Sequence, residues 1–290
     1  MRLLLPFLGV LATAGALFGQ TAQCTRDDTS RLQRDLDETS GAAFSLQHPN
    51  IIWTLNDSGN RAELLAIDLD GEIQARARVD ARNRDWEALD RGRCDGGSCL
   101  YIADTGDNDL ERDGVDLYRV VEPAPSMDSE VEAERFRMSL PDGPRNIEAL
   151  FVLPNEQIYL ITKGQHHPVT VYHYPPPLRS DRRVTLVEVQ KLTEDTQSLP
   201  GLVTGASASE DGSLIAIRRY ASLEFFRLTD GLLEPIEGAT LSLFGLREPQ
   251  GEAVAFGPDD TVALTSERDG SRRAVMTLLR CTFSTAFQVP

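Results

Sequence analysis

Beyond residue 18 this chain has no apolar run long enough to cross a bilayer, and nowhere does it sustain the capped 3.6-residue periodicity of helices. The first absence argues against a membrane span in the mature protein. The second excludes helical bundles and makes helix scarce in any fold. Positive charge is also short, with 29 Lys and Arg against 45 Asp and Glu for a net charge of -16, and Lys163 and Lys191 are the only lysines. A field of that sign repels phosphate backbones, so general nucleic-acid binding is not expected. There is no Gly-x-Ser-x-Gly elbow, and Ser40, Ser207 and Ser209 have no histidine placed by sequence, which argues against serine-hydrolase chemistry. His166, His167 and His173 have no carboxylate fixed beside them, so zinc is not expected there.

What is present begins with Met1-Arg2, an apolar stretch from Leu3 to Phe18, and small or polar residues from Gly19 to Gln23. That is the layout of a secretory signal. The expected organisation is a leader over 1–23 and a single domain over 24–290, secreted or periplasmic. Cys24 would suit a lipoprotein, but Gln23 stands where a small residue is wanted. The four cysteines are even in number, as disulfides in an exported chain require. Cys94 and Cys99 enclose the turn sequence Asp95-Gly96-Gly97-Ser98, which predicts a local staple. Cys24 and Cys281 then pair by elimination and would close the chain's ends on each other.

Five stretches repeat one pattern at a period of roughly 50 residues. Each opens with a small or acidic tetrapeptide: Ser-Gly-Ala-Ala at Ser40, Trp-Glu-Ala-Leu at Trp86, Ile-Glu-Ala-Leu at Ile147, Thr-Gly-Ala-Ser at Thr204 and Gly-Glu-Ala-Val at Gly251. An apolar strand follows each after about ten residues, then a third strand, then a more polar fourth, with turns at Asp70-Gly71, Asp211-Gly212 and Asp230-Gly231. The pattern predicts an all-β, five-bladed β-propeller of four-stranded antiparallel blades, with six blades or a β-sandwich as alternatives. The fifth blade lacks an outer strand near its end, and Thr25 to Asp37 is expected to supply or support it.

First strands line a propeller's central channel, so Glu87, Glu148 and Glu252 should point to the axis at one level. Blades 1 and 4 put Gly41 and Gly205 at that phase, preceded by Ser40 and Thr204. Crowded carboxylates repel one another unless a cation lies between them, and oxygen-only ligands suit a hard ion such as calcium. The alternative is that each glutamate binds backbone amides or an arginine such as Arg84 or Arg145. The loops on the same face carry Asn56, Asp57, Asp104, Lys163, Arg218, Arg219 and Arg268. Acids on one side of a metal and cations on the other would suit a small anionic substrate, phosphate being the obvious group. Asp57 or Asp104 would orient water, while Asn56, Lys163, Arg218, Arg219 and Arg268 would hold the substrate. Asn-Asp-Ser-Gly and Asp-Thr-Gly-Asp are equally good turn formers. The acid-rich run Asp104 to Asp113 lacks EF-hand spacing and reads as a second calcium loop or a solvated one.

The order hydroxyl, Glu, Glu, hydroxyl, Glu resembles the calcium-activated nucleotidase (apyrase) family. That resemblance implies calcium on the axis, held at Ser40, Glu87, Glu148, Thr204 and Glu252, with an acidic substrate loop at Asn56 to Gly59. The strings Trp53 to Gly59, Asp85 to Ala88 and Tyr101 to Asn108 are similar to exported bacterial propellers with phytase or esterase-like domains. The expected function is a calcium-dependent hydrolase of a phosphate ester or phosphoanhydride, and a monomer. Its alternatives are a non-catalytic propeller that binds an anionic ligand, glycan or protein, and a lactonase-type or esterase propeller.

Overall fold

A computed structural model describes residues 18–95 and 97–287, with side chains from 22 to 283; most of the expected leader lies outside the described residues. Five separate sheets settle the blade number at five. From the axis outward, blade 1 is Thr39–Phe44, Ile52–Asn56, Glu63–Ile67 and Ile73–Asp80. Blade 2 is Trp86–Cys94, Gly97–Asp104, Val115–Val121 and Glu134–Ser139, and blade 3 is Ile147–Val152, Ile158–Thr162, Thr170–His173 and Val187–Lys191. Blade 4 is Val203–Ala208, Ile215–Arg219, Ser222–Thr229 and Leu232–Ser242. Blade 5 is Gln250–Phe256, Thr261–Glu267 and Val275–Phe287, closed on its outer edge by Phe18–Arg31. Among the described residues the only helical turns are the 3-10 segments Arg34–Leu36 and Phe244–Leu246.

The closing strand brings Cys24 directly opposite Cys281, where they are bonded, and Cys94 is bonded to Cys99 across a hairpin. Both pairings match the expectation. So does the role of the 25–37 segment, although its strand starts earlier, at Phe18, and stops at Arg31.

Blades 1 and 2 depart from the four-stranded, antiparallel expectation. Each takes a fifth, parallel strand from the chain of the next blade: Ser129–Glu132 on Ile73–Asp80, and Arg183–Thr185 on Glu134–Ser139. The polar stretch Val184 to Val189, which the repeat pattern makes a single fourth strand of blade 3, is therefore divided. Its first part pairs with blade 2 and its second with blade 3, while Leu186 between them is buried.

The apolar residues form five clusters, one per seam between neighbouring blades. Trp53, Leu64, Trp86 and Ile102 fill the first seam, and Phe225, Ile236, Phe256 and Leu279 the fourth. A chain of this length thus buries its apolar surface as a ring of small cores rather than one large one.

All five inner strands carry a β-bulge at the same phase. Thr39 pairs with Asn56 and Gly41 with Leu55, skipping Ser40. The skipped residues in blades 2 to 4 are Glu87, Glu148 and Thr204, and blade 5 skips Glu252 and Ala253. A bulge re-aims the unpaired side chain and breaks the strict alternation. The hydroxyl residues, rather than Gly41 and Gly205, are therefore the equivalents of the glutamates. The two glycines answer a different need: a Cβ on Gly41 would lie 2.6 Å from Leu89 N, and one on Gly205 2.8 Å from Glu252 O. Where the bulged residue is a hydroxyl, the neighbouring inner strand packs directly against bare backbone.

Candidate functional site at the channel mouth

The bulges set Glu87, Glu148 and Glu252 into the channel mouth, all buried. The residue two positions earlier faces the same way along an extended chain. In four of the five blades that residue is polar: Glu38, Asp85, Asn146 and Gln250. Sequence reading passed over these four, and the period of two was the signal that could have found them. Asn146 Nδ2 donates to Glu148 Oε1 at 2.8 Å. Gln250 Nε2 donates to Glu252 Oε1 at 2.8 Å and to Glu267 Oε2 at 2.7 Å. Lys163 Nζ donates to Glu148 Oε1 at 2.8 Å.

Glu87 stands apart. It is 8 % exposed, yet among the described residues its carboxylate accepts no hydrogen bond. Asp85 is beside it: a Cβ on Gly106 would fall 2.2 Å from Asp85 Oδ2 and 2.4 Å from Glu87 Oε1, so only glycine leaves room for the pair.

The electrostatics follow from this crowding. Burial, then the charge of Glu148, holds the Glu87 carboxyl well above the usual carboxylate range. Burial, then Glu267 and Glu148, does the same to Glu252. Asp57 is pushed up to about 7 by burial and by Glu38, Asp85 and Glu148. Glu267 is pushed up to about 8 by burial and by Asp57, Glu38 and Glu148. Burial alone would lower Lys163, but Glu148, Tyr220 and Glu87 outweigh it and keep the ammonium charged. One lysine thus faces a surrounding of seven acids.

The other residues expected at this face do different work. Ser40 Oγ donates to Trp86 O at 2.7 Å and Thr204 Oγ1 to Glu252 O at 2.8 Å, so both hydroxyls rivet one inner strand to the next. Arg218 is 0 % exposed, with its guanidinium donating to Ala253 O, Thr265 O and Glu248. It staples blade 4 to blade 5, and a Cβ on Gly251 would overlap it. Arg219 is held by Glu224 and Gly201 O. Neither arginine presents its guanidinium to the mouth. Asn56 Nδ2 is spent on Asp35 O. Asp104 is 0 % exposed, paired with Arg112 at 2.9 Å and accepting from the backbone of Arg84 and Asp85, so it braces the loop and reaches no solvent water. Asp57 and Lys163 remain at the mouth, and Arg268, half exposed and 3.5 Å from Asp37, at its rim.

The donor set fits a hard cation in kind: oxygen only, in excess charge, with one near-buried carboxylate, Glu87, that no donor reaches and that only the field of Lys163 offsets. Ser40 and Thr204 give their protons to backbone carbonyls, which leaves Glu87, Glu148 and Glu252 as the charged members of the expected ligand set. Among the described residues no group of three or more His, Cys, Asp or Glu stands close enough to hold a metal as placed, and Lys163 occupies one face of Glu148.

No protein-family model matches the chain, and no curated protein matches it. Solved structures do. The PQQ-bound aldose sugar dehydrogenase of Streptomyces coelicolor is similar at a TM-score of 0.55 and 10 % identity, covering 90 % of this chain and 99 % of that one. A gluconolactonase of Xanthomonas campestris (TM-score 0.44, 15 % identity, 83 % and 72 % covered) and a virginiamycin B lyase of Staphylococcus aureus (0.42, 11 %, 89 % and 73 %) are more distant. At such identities the likeness is one of fold, and the class it defines is the β-propeller.

Proposed function

We propose that this chain is an exported propeller hydrolase that works at the channel mouth on a phosphate ester or phosphoanhydride, with calcium held by Glu87, Glu148 and Glu252. The observation that carries the reading is the near-buried Glu87 carboxylate, which has no donor and crowds Asp85. Calcium bound there would supply the positive charge that polarises a phosphoryl oxygen. Asp57, half buried with its carboxyl near neutrality, suits the transfer of a proton from water. Lys163 and Arg268 bring the positive charge this face offers an anion. Two disulfides support export.

The engagement of Arg218 and Arg219 in the scaffold favours a second reading, in which calcium only pins the ring and the face binds a ligand without turning it over.

Thermal melts of the mature protein in millimolar calcium and in EGTA test the ion. At 100-fold saturation a site adds about 2.7 kcal/mol, a rise of roughly 5–10 °C for a chain of this size. No rise removes the cation centre. Phosphate release from p-nitrophenyl phosphate, nucleotides and phytate tests the chemistry: turnover should require calcium and vanish in Glu148→Gln. A calcium-bound protein that releases no phosphate leaves the second reading.

A further inference from the structure

Beside the channel mouth, at the seam of blades 4 and 5, lies a cleft of about 360 Å³. Its outer walls are apolar and stand in solvent: Leu199 is 68 % exposed and Phe244, on the 3-10 turn after blade 4, is 73 % exposed. Pro249 adds to the lining. Leu199 and Phe244 thus line the same open cleft while largely exposed. The inner wall is Tyr220 and Gln250. Gln250 is the residue that binds Glu252 and Glu267, and Tyr220 feels the charges of Glu252, Lys163 and Glu148. Tyr220 and Gln250 therefore belong both to the cleft lining and to the surroundings of the mouth carboxylates. Arg247 is exposed at the lip, and among the described residues its guanidinium has no hydrogen-bond partner.

We infer that this cleft seats an apolar, ring-sized group of the ligand whose charged group lies at the mouth, so that the substrate is a phosphate ester of an aryl or comparably apolar alcohol rather than of a polyol. The volume is that of a small-molecule pocket and too small for a protein segment with its flanks. The continuity through Tyr220 and Gln250 ties the occupant to the carboxylate centre. Arg247 is placed to meet an anionic edge of the same ligand. The ligand class rests on the phosphoryl reading of the mouth, whereas the apolar seat does not.

Two probes separate the two. Phenol carries no phosphoryl group and reads the cleft alone. Saturation transfer from protein to phenol is expected in the wild type and should be lost in both Phe244→Ser and Leu199→Ser. Phenylphosphonate and methylphosphonate, which cannot be hydrolysed, read the connection. In calcium the phenyl compound should bind roughly tenfold or more tightly, and either substitution should collapse the difference.

Absence of transfer, transfer that survives both substitutions, or equal affinity for the two phosphonates would overturn the proposal. So would a wild-type dimer that Phe244→Ser turns into a monomer, since the cleft would then belong to a second copy of the chain. If neither phosphonate binds while the phenol signal behaves as expected, the phosphoryl reading fails and the apolar seat stands.

Discussion

Lys163 Nζ and Glu148 Oε1 are 2.8 Å apart, and this ion pair is the internal counter-charge of the channel mouth. Lysine is rare in the chain, and one of its two copies is here. Both partners are largely shielded from water, the side chains being 14 % and 3 % exposed. Removing one member of such a pair leaves the other's charge stranded. Lys163→Met should therefore cost about 3–5 kcal/mol in EGTA, read by chemical denaturation. Calcium should restore more stability to this variant than it adds to the wild type, because a competing cation is gone. An unchanged calcium increment would mean that lysine and metal do not compete for Glu148.

The crowded acids also give a sign to the pH dependence. Asp57 rises from 3.8 to about 7 and Glu267 from 4.5 to about 8 in the folded chain. Between the unfolded and folded values the native state binds protons that the unfolded state does not, so stability rises as pH falls through this window. In EGTA the melting temperature should climb from about pH 8.5 to about pH 5.5 and level off toward the unfolded values. Saturating calcium should flatten or reverse the slope, since metal ligands must shed their protons. A melting temperature that falls steadily with acid in EGTA would contradict the crowding.

Ser40 and Thr204 separate two roles that share one position. As rivets to Trp86 O and Glu252 O, each hydroxyl should contribute about 1 kcal/mol, and Ser40→Ala or Thr204→Ala should lower the melting temperature by a few degrees. As rivets, neither should alter calcium affinity. A drop in affinity comparable with that of Glu148→Gln would make them ligands after all.

The two disulfides should differ in weight. Cys24–Cys281 spans 257 residues and Cys94–Cys99 spans 5. The entropy removed from the unfolded chain grows with the logarithm of the loop, giving about 5 kcal/mol against about 2 kcal/mol. Cys24→Ser with Cys281→Ser should therefore cost roughly two and a half times what Cys94→Ser with Cys99→Ser costs in urea unfolding. Equal losses would show that the ring is closed well enough by strand pairing alone.

The blades were legible because a repeated hydrophobic pattern is written at short range, residue by residue. The five bulges can be seen in retrospect in the phase shared by Ser40, Glu87, Glu148, Thr204 and Glu252. Asp85, Asn146 and Gln250 were legible in principle two residues before each glutamate. The arginines were not. A guanidinium reaches several ångströms from its own backbone, so whether Arg218 faces a substrate or staples Ala253 and Thr265 is decided by a neighbouring blade. Asp104 was misjudged for the same reason, because its partner Arg112 lies on a loop whose course no local pattern sets. The parallel strands Ser129–Glu132 and Arg183–Thr185 are short and polar, and their alternation is indistinguishable from that of a solvated loop.

Those two borrowed strands divide the ring mechanically. Blades 1, 2 and 3 are interlaced, blade 2 lending backbone hydrogen bonds to blade 1 and blade 3 to blade 2, so none of the three can peel away without tearing a neighbour's sheet. Among the described residues no strand is exchanged from blade 3 onward until Phe18–Arg31 closes the circle, and the seam of blades 4 and 5 is held by side chains such as Arg218. A ring built this way has a stiff arc and a compliant one, and the cleft beside Tyr220 opens on the compliant arc. Amide exchange should be slowest along the interlaced blades, and the space offered to a ligand will widen or narrow where the ring can yield.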